Sequence, residues 1–86
     1  MRYEIFIKKQ AKKTLLSLGR TDRNRIAEKI KHLGNNPDDP KLDIKPLHDD
    51  IYYRLRVGQW RIIFDRDDGI KIIGIEKIKP RGDAYK

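Results

Sequence analysis

The sequence predicts an α+β domain, ordered strand, helix, helix and three further strands, with a helical hairpin packed on one face of a small antiparallel sheet. Three observations carry this prediction. Tyr52 to Phe64 reads as a β-hairpin, because β-branched and aromatic residues alternate with arginines on both sides of a Gly58-Gln59 turn. Residues 8 to 34 switch to the period of amphipathic helices. Ile70 to Ile78 is a near-continuous isoleucine run, the pattern of a central strand buried on both faces.

Taken in order, Tyr3 to Ile7 alternate weakly and predict a short first strand. Ala11, Leu15 and Leu18 then fall at helical spacing among Lys8, Lys9, Lys12 and Lys13, and Gly19 offers a C-terminal cap. A second helix is expected from Thr21 or Asp22, through the stripe Ile26, Ala27, Ile30 and Leu33, to a stop at Gly34-Asn35-Asn36-Pro37. Residues 35 to 50 hold three of the four prolines and five aspartates, anchored only by Leu42, Ile44 and Leu47, so an extended surface connection is expected. Asp67-Asp68-Gly69 signals the turn after the hairpin, and Gly74 within the last strand marks a bulge or a close approach.

At 86 residues the chain is expected to form one domain, residues 1–86, with a single core. It has no cysteine, which excludes disulfides and thiolate metal sites. Apolar runs are far shorter than the ~20 residues of a membrane helix, and the first residues lack a signal-peptide core. A cytoplasmic protein without membrane contact is expected. The net charge is +8. Residues 1–34 carry ten Lys/Arg against three acids and residues 51–86 nine against five, while residues 35–50 are acidic. A basic surface of this kind attracts polyanions, nucleic acid first and an acidic protein partner second.

Strand alternation puts Tyr53, Leu55 and Val57 on one face of the hairpin and Tyr52, Arg54 and Arg56 on the other. Trp60, Ile62 and Phe64 likewise share a face, opposite Arg61 and Ile63. A solvated sheet face ordinarily mixes Thr, Ser, Glu and Lys; this one offers arginine. Three guanidiniums on one short hairpin suit an anion such as phosphate, whose geometry matches the planar fork. Trp60 shares its side with Ile62 and Phe64 and is assigned to the core rather than to base stacking.

The element order, together with Tyr-Arg-Leu-Arg-Val-Gly-Gln-Trp-Arg-Ile-Ile-Phe and the closing Arg-Gly-Asp-Ala-Tyr-Lys, resembles the RelE/ParE superfamily of bacterial and archaeal toxins. The resemblance spans essentially the whole chain. It implies the toxin of a type II toxin-antitoxin system, held inactive by an acidic cognate antitoxin. Arg61, Arg81 and Tyr85 match the RelE-like branch of ribosome-dependent mRNA endonucleases, while Arg54 and Arg56 match its basic second-strand positions. Where family nucleases often carry lysines in this strand, the chain has Tyr52 or Tyr53, and Arg54, so a titratable amine is replaced by a permanent cation. A ParE-like gyrase inhibitor and an inactive member that binds RNA or its partner remain alternatives.

For the RelE-like reading, cleavage is expected without metal or other cofactor, by attack of a ribose 2′-OH on its own 3′-phosphate. Arg61 and Arg81 would hold the scissile phosphate and stabilise its developing charge. Tyr85 is the titratable group for proton transfer, its pKa lowered from about 10 by neighbouring arginines. Arg54, Arg56, Lys79, Lys12 and Lys13 are candidate RNA contacts, with the ribosome and mRNA as partners. Taken singly, Tyr85 near the end would be a frayed side chain, the first helix's lysines a solvated face, and His32 and His48 surface groups lacking a second ligand at metal spacing.

Overall fold

The computed structural model describes residues 2–47 and 51–80. Its elements are β1 (Glu4–Ile7), α1 (Lys9–Ser17), α2 (Arg20–Asn35), β2 (Ile44–Pro46), β3 (Tyr53–Val57), β4 (Trp60–Asp67) and β5 (Ile72–Pro80). The strands form one sheet in the order β1-β5-β4-β3-β2. Strands β2 to β5 pair antiparallel, as the hairpin and the Asp-Gly turn require. β1 departs from the expected antiparallel sheet, since it lies parallel to β5. A four-residue alternating stretch fixes which side chains are buried but not the direction of its partner, and the helical hairpin carries the chain back across the sheet before the meander begins.

Gly58 adopts φ +59 in the two-residue turn that joins Val57 to its partner Trp60. Asp67 closes the next turn, its Oδ1 accepting from the amides of Gly69 at 2.9 Å and Ile70 at 3.2 Å. The connection from 36 to 43 is irregular as expected, but it ends in β2, a three-residue edge strand closed by Pro46, a residue that only an edge tolerates.

The apolar stripes of both helices meet the sheet on one face, where Ala11, Leu15, Ile26, Ile30 and Leu33 pack with Leu55, Ile62, Phe64, Ile73, Ile75 and Ile78. Trp60 packs against this core at its margin. Gly19, expected to cap α1, instead opens α2 in an extended conformation, with Asp22 in the first turn facing the helix dipole. Gly34 lies within α2 and serves contact rather than termination. A Cβ there would fall 2.9 Å from Ile5 Cγ1, and the Gly34 carbonyl accepts from Tyr3 N at 2.7 Å, tying β1 to the helix.

β5 sits between β1 and β4 and β4 is the middle strand. Ile63 pairs with Lys77 and Phe64 with Ile75, so Glu76 is an extra residue on β5. The resulting bulge resets the alternation and lets Ile75 and Ile78, three residues apart, both enter the core. Gly74 is not the bulge. It accommodates Asp65, whose Oδ1 accepts from Gly74 N at 3.1 Å and would lie 2.6 Å from a Cβ there.

Candidate nucleic-acid interface

The pairing register assembles the site. On the face opposite the helices, Arg56, Arg61 and Lys79 are direct neighbours on β3, β4 and β5. The adjacent row runs Lys45, Arg54, Ile63 and Lys77 across β2 to β5. Six cations thus share one sheet face, on strands about 4.8 Å apart. Like charges directly opposite each other in a sheet are destabilising, so the Arg56-Arg61 pair is not placed there for stability.

Two of these arginines are inside the protein. Arg61 is 0 % exposed and Arg54 is 7 % exposed, against the expectation of a solvated arginine face. Arg54 Nη2 reaches Asp43 Oδ1 at 3.3 Å, and Arg56 Nε lies 3.7 Å from Asp43 Oδ2. Arg54 Nε is buried with no hydrogen-bond acceptor among the described residues. Asp43 is itself half exposed, so the neutralisation it provides is weak.

Four acids of the described sheet and its turn, Asp65, Asp67, Asp68 and Glu76, are engaged elsewhere. Asp68 accepts from Arg66 Nε at 2.8 Å and from the Tyr3 hydroxyl at 2.8 Å, while Arg66 Nη1 donates to Asp38 at 3.0 Å. This network fastens Tyr3, just ahead of β1, to β4, the turn after it and the loop after α2. The hydrogen bond from Arg66 holds the Asp68 carboxyl below its ordinary range, and the bond to Asp68 pushes the Tyr3 phenol up. Glu76 pairs with Lys8 at 3.3 Å. Asp67 closes its turn and Asp65 serves Gly74.

Arg54, Arg56, Arg61 and Lys79 are therefore brought together. Lys12 and Lys13 are exposed on α1, in the layer behind the sheet, and do not join them. Arg81 and Tyr85, like His48, lie outside the described residues. His32 is half-buried and shares a 2.7 Å hydrogen bond with Asp39 Oδ2, which holds the Asp39 carboxyl down. Among the described residues no three His, Cys, Asp or Glu groups gather where they would hold a metal ion. Sequence reasoning missed Lys45 and Lys77. Lys45 sits on an edge strand too short for its pattern to register, and Lys77 reaches this face because of the bulge, whose signal was the three-residue step from Ile75 to Ile78.

The family model for the ParE toxin of the type II toxin-antitoxin system parDE matches residues 5–85. The chain belongs to the RelE/ParE superfamily of toxins. A relative from Methanocaldococcus jannaschii, provisionally named toxin RelE1, is 35 % identical over 88 residues, covering 100 % of this chain and 98 % of its own. Among solved structures, the archaeal RelE-RelB complex of Pyrococcus horikoshii matches with TM-score 0.83 and 35 % identity, covering 95 % of this chain and 98 % of the other. The RelB-RelE antitoxin-toxin complex of Methanococcus jannaschii matches with TM-score 0.76 and 28 % identity, covering 94 % and 95 %. These matches span nearly the whole chain, so the strands that carry the sheet face lie within the matched fold. No helix among the described residues is long and apolar enough to cross a membrane.

Proposed function

We propose that this toxin is a ribosome-dependent mRNA endonuclease of the RelE kind, working without a metal and neutralised by an antitoxin. The observation that carries the reading is the row Arg56, Arg61 and Lys79, with one guanidinium wholly buried beside an exposed one. A buried, fixed cation set against a second cation is suited to an oxyanion whose charge grows during reaction. In the reaction the ribose 2′-oxygen bonds to the 3′-phosphorus, its proton passing to a base. The bond from phosphorus to the 5′-oxygen breaks, and that oxygen takes up a proton. The products are a 2′,3′-cyclic phosphate and a free 5′-hydroxyl.

In this scheme Arg81 grips the phosphate and Tyr85 handles the protons, while Arg61, which is 0 % exposed, acts on the developing charge from beneath the surface rather than by direct contact; Arg54, Arg56 and Lys79 serve flanking phosphates. Lys12 and Lys13, on the opposite layer, are assigned to contacts with ribosomal RNA away from the cut. Arginines remain charged throughout and cannot shuttle protons. Such a site relies on an external surface to orient the message, which supports ribosome dependence. The solved relatives are complexes of RelE with RelB, which supports an antitoxin as this chain's partner.

The test is primer extension on messages after induction without antitoxin, with Arg81→Ala alongside. Cuts within translated codons, lost with Arg81→Ala and when translation is blocked, are expected. The match to the ParE family model favours one other reading, gyrase inhibition. Intact messages with arrested growth and DNA-damage signalling would establish it instead.

A further inference from the structure

A groove of about 320 Å³ lies at the open end of β3, on the helix side of the sheet and beyond the last residue that β2 covers. Arg25 and Lys29, one helical turn apart on α2, form one wall. Lys41 from the loop and the Arg56-Gly58 segment form the other. Gly58 lets the wall close: Arg25 Nη1 lies 3.2 Å from the position a Cβ would take, so the guanidinium rests over the hairpin turn. Asp43 also lines the groove, but its carboxylate faces Arg54 and Arg56. Arg25, Lys29 and Lys41 make no ion pair among the described residues.

The floor separates two classes of occupant. Leu42, Leu55 and Val57 are 6 %, 0 % and 2 % exposed, so no apolar side chain of the floor is open to an amphipathic peptide, which takes its affinity from such anchors. Arg25, Lys29, Lys41 and Arg56 surround the mouth against the single Asp43, and a phosphodiester needs only cations and amides. The groove is also continuous with the arginine face, since Arg56 belongs to both.

We propose that this groove is a second phosphate-binding site, which takes the RNA backbone where the strand leaves the arginine face and turns around the free end of β3. The inference rests on the reading of the sheet face as an RNA interface, and it extends the RNA path by several nucleotides beyond the reacting phosphate.

The test measures fluorescence anisotropy of the full chain with 2′-O-methyl single strands of about 4 and about 12 nucleotides, which span the site sizes of single-strand binders and cannot be cleaved. Each phosphate contact on single strands contributes about −0.7 to the slope of log affinity against log salt. Replacing Arg25, Lys29 and Lys41 together by Gln is expected to make the slope for the longer strand shallower by about 2 and leave the shorter strand unchanged. Lys41→Gln alone, the mildest change to the fold, is expected to remove about 0.7. Unchanged slopes on both strands would overturn the proposal. So would equal losses on both, which would mean a diffuse field rather than a site, or loss of binding to an acidic amphipathic peptide with RNA binding intact. The parent reading is tested separately by Lys79→Gln, at a position on the sheet face and outside the groove, on the short strand: no effect there refutes the sheet-face interface, while the groove is still judged on the longer one.

Discussion

Replacing Arg54 by methionine is expected to make the protein more stable and less able to bind RNA. The side chain is 7 % exposed, its Nε lacks an acceptor among the described residues, and its one ion pair among those residues is a 3.3 Å contact with a half-exposed aspartate. An unsatisfied buried donor costs about 1–3 kcal/mol, and a pair with so exposed a partner returns about 0.5–1 kcal/mol. Methionine keeps the length and apolar stem while removing the charge, a class of replacement that is often neutral or stabilising. The net gain is about 1 kcal/mol, which for a domain of this size raises Tm by about 4–8 °C. Thermal unfolding followed by circular dichroism reads the gain, and RNA anisotropy reads the loss. A fall in Tm of several degrees would refute the reasoning, because it would show that Arg54 is held by interactions that stabilise the fold.

Gly34→Ala drives a Cβ to 2.9 Å from Ile5 Cγ1 and is expected to cost about 1–3 kcal/mol by overpacking, seen as a lower urea midpoint. Gly58→Ala must hold φ +59 with a side chain; a loss of about 1–2 kcal/mol is expected, with a weaker RNA affinity as Arg25 is displaced. The Asp39 carboxyl is held down by its hydrogen bond with His32, so that interaction is fully present above the ordinary carboxylate pKa and is lost as pH falls through the lower folded value. The stability difference between wild type and Asp39→Asn should therefore be constant from pH 5 to 6 and shrink below about pH 4. Tyr3 has the opposite sign: its phenol is pushed up, chiefly by the bond to Asp68, so its contribution is full below about pH 10 and is lost as pH rises through the folded value. Denaturant midpoints of Tyr3→Phe and wild type at pH 8 and pH 11 check this; an unchanged difference would remove the network from the account.

The hairpin was legible because its signals are local. Alternation over Tyr53–Val57 and Trp60–Phe64, together with a glycine where φ is positive, specifies partner, turn and face at once. Tertiary facts were less accessible. The orientation of β1 depends on where the helical pair returns the chain, which four residues cannot encode. Burial of Arg54 and Arg61 runs against the ordinary preference of arginine for the surface, and no local period announces it. Gly19 and Gly34 were read as helix punctuation, yet one opens a helix and the other makes room for Ile5. The role of Gly34 depends on its contact with Ile5, which no sequence neighbour announces. The cationic face itself was half legible: its arginines and Lys79 were named from the sequence, Lys45 and Lys77 only from the register.

The parallel pairing of β1 with β5 joins Ile5 to Ile73 and Ile7 to Ile75, contacts that span most of the chain. Closing so long a loop is entropically costly and slow. During synthesis β1 emerges and then waits, because the strand that completes its hydrogen bonds follows both helices and three further strands. The sheet, and with it the row of cations that crosses β4 and β5, cannot be completed until β5 has left the ribosome that is making it. A chain interrupted before Ile72 therefore lacks both the partner of its first strand and Lys77 and Lys79, so unfinished copies carry neither the fold nor the full charge of the finished toxin.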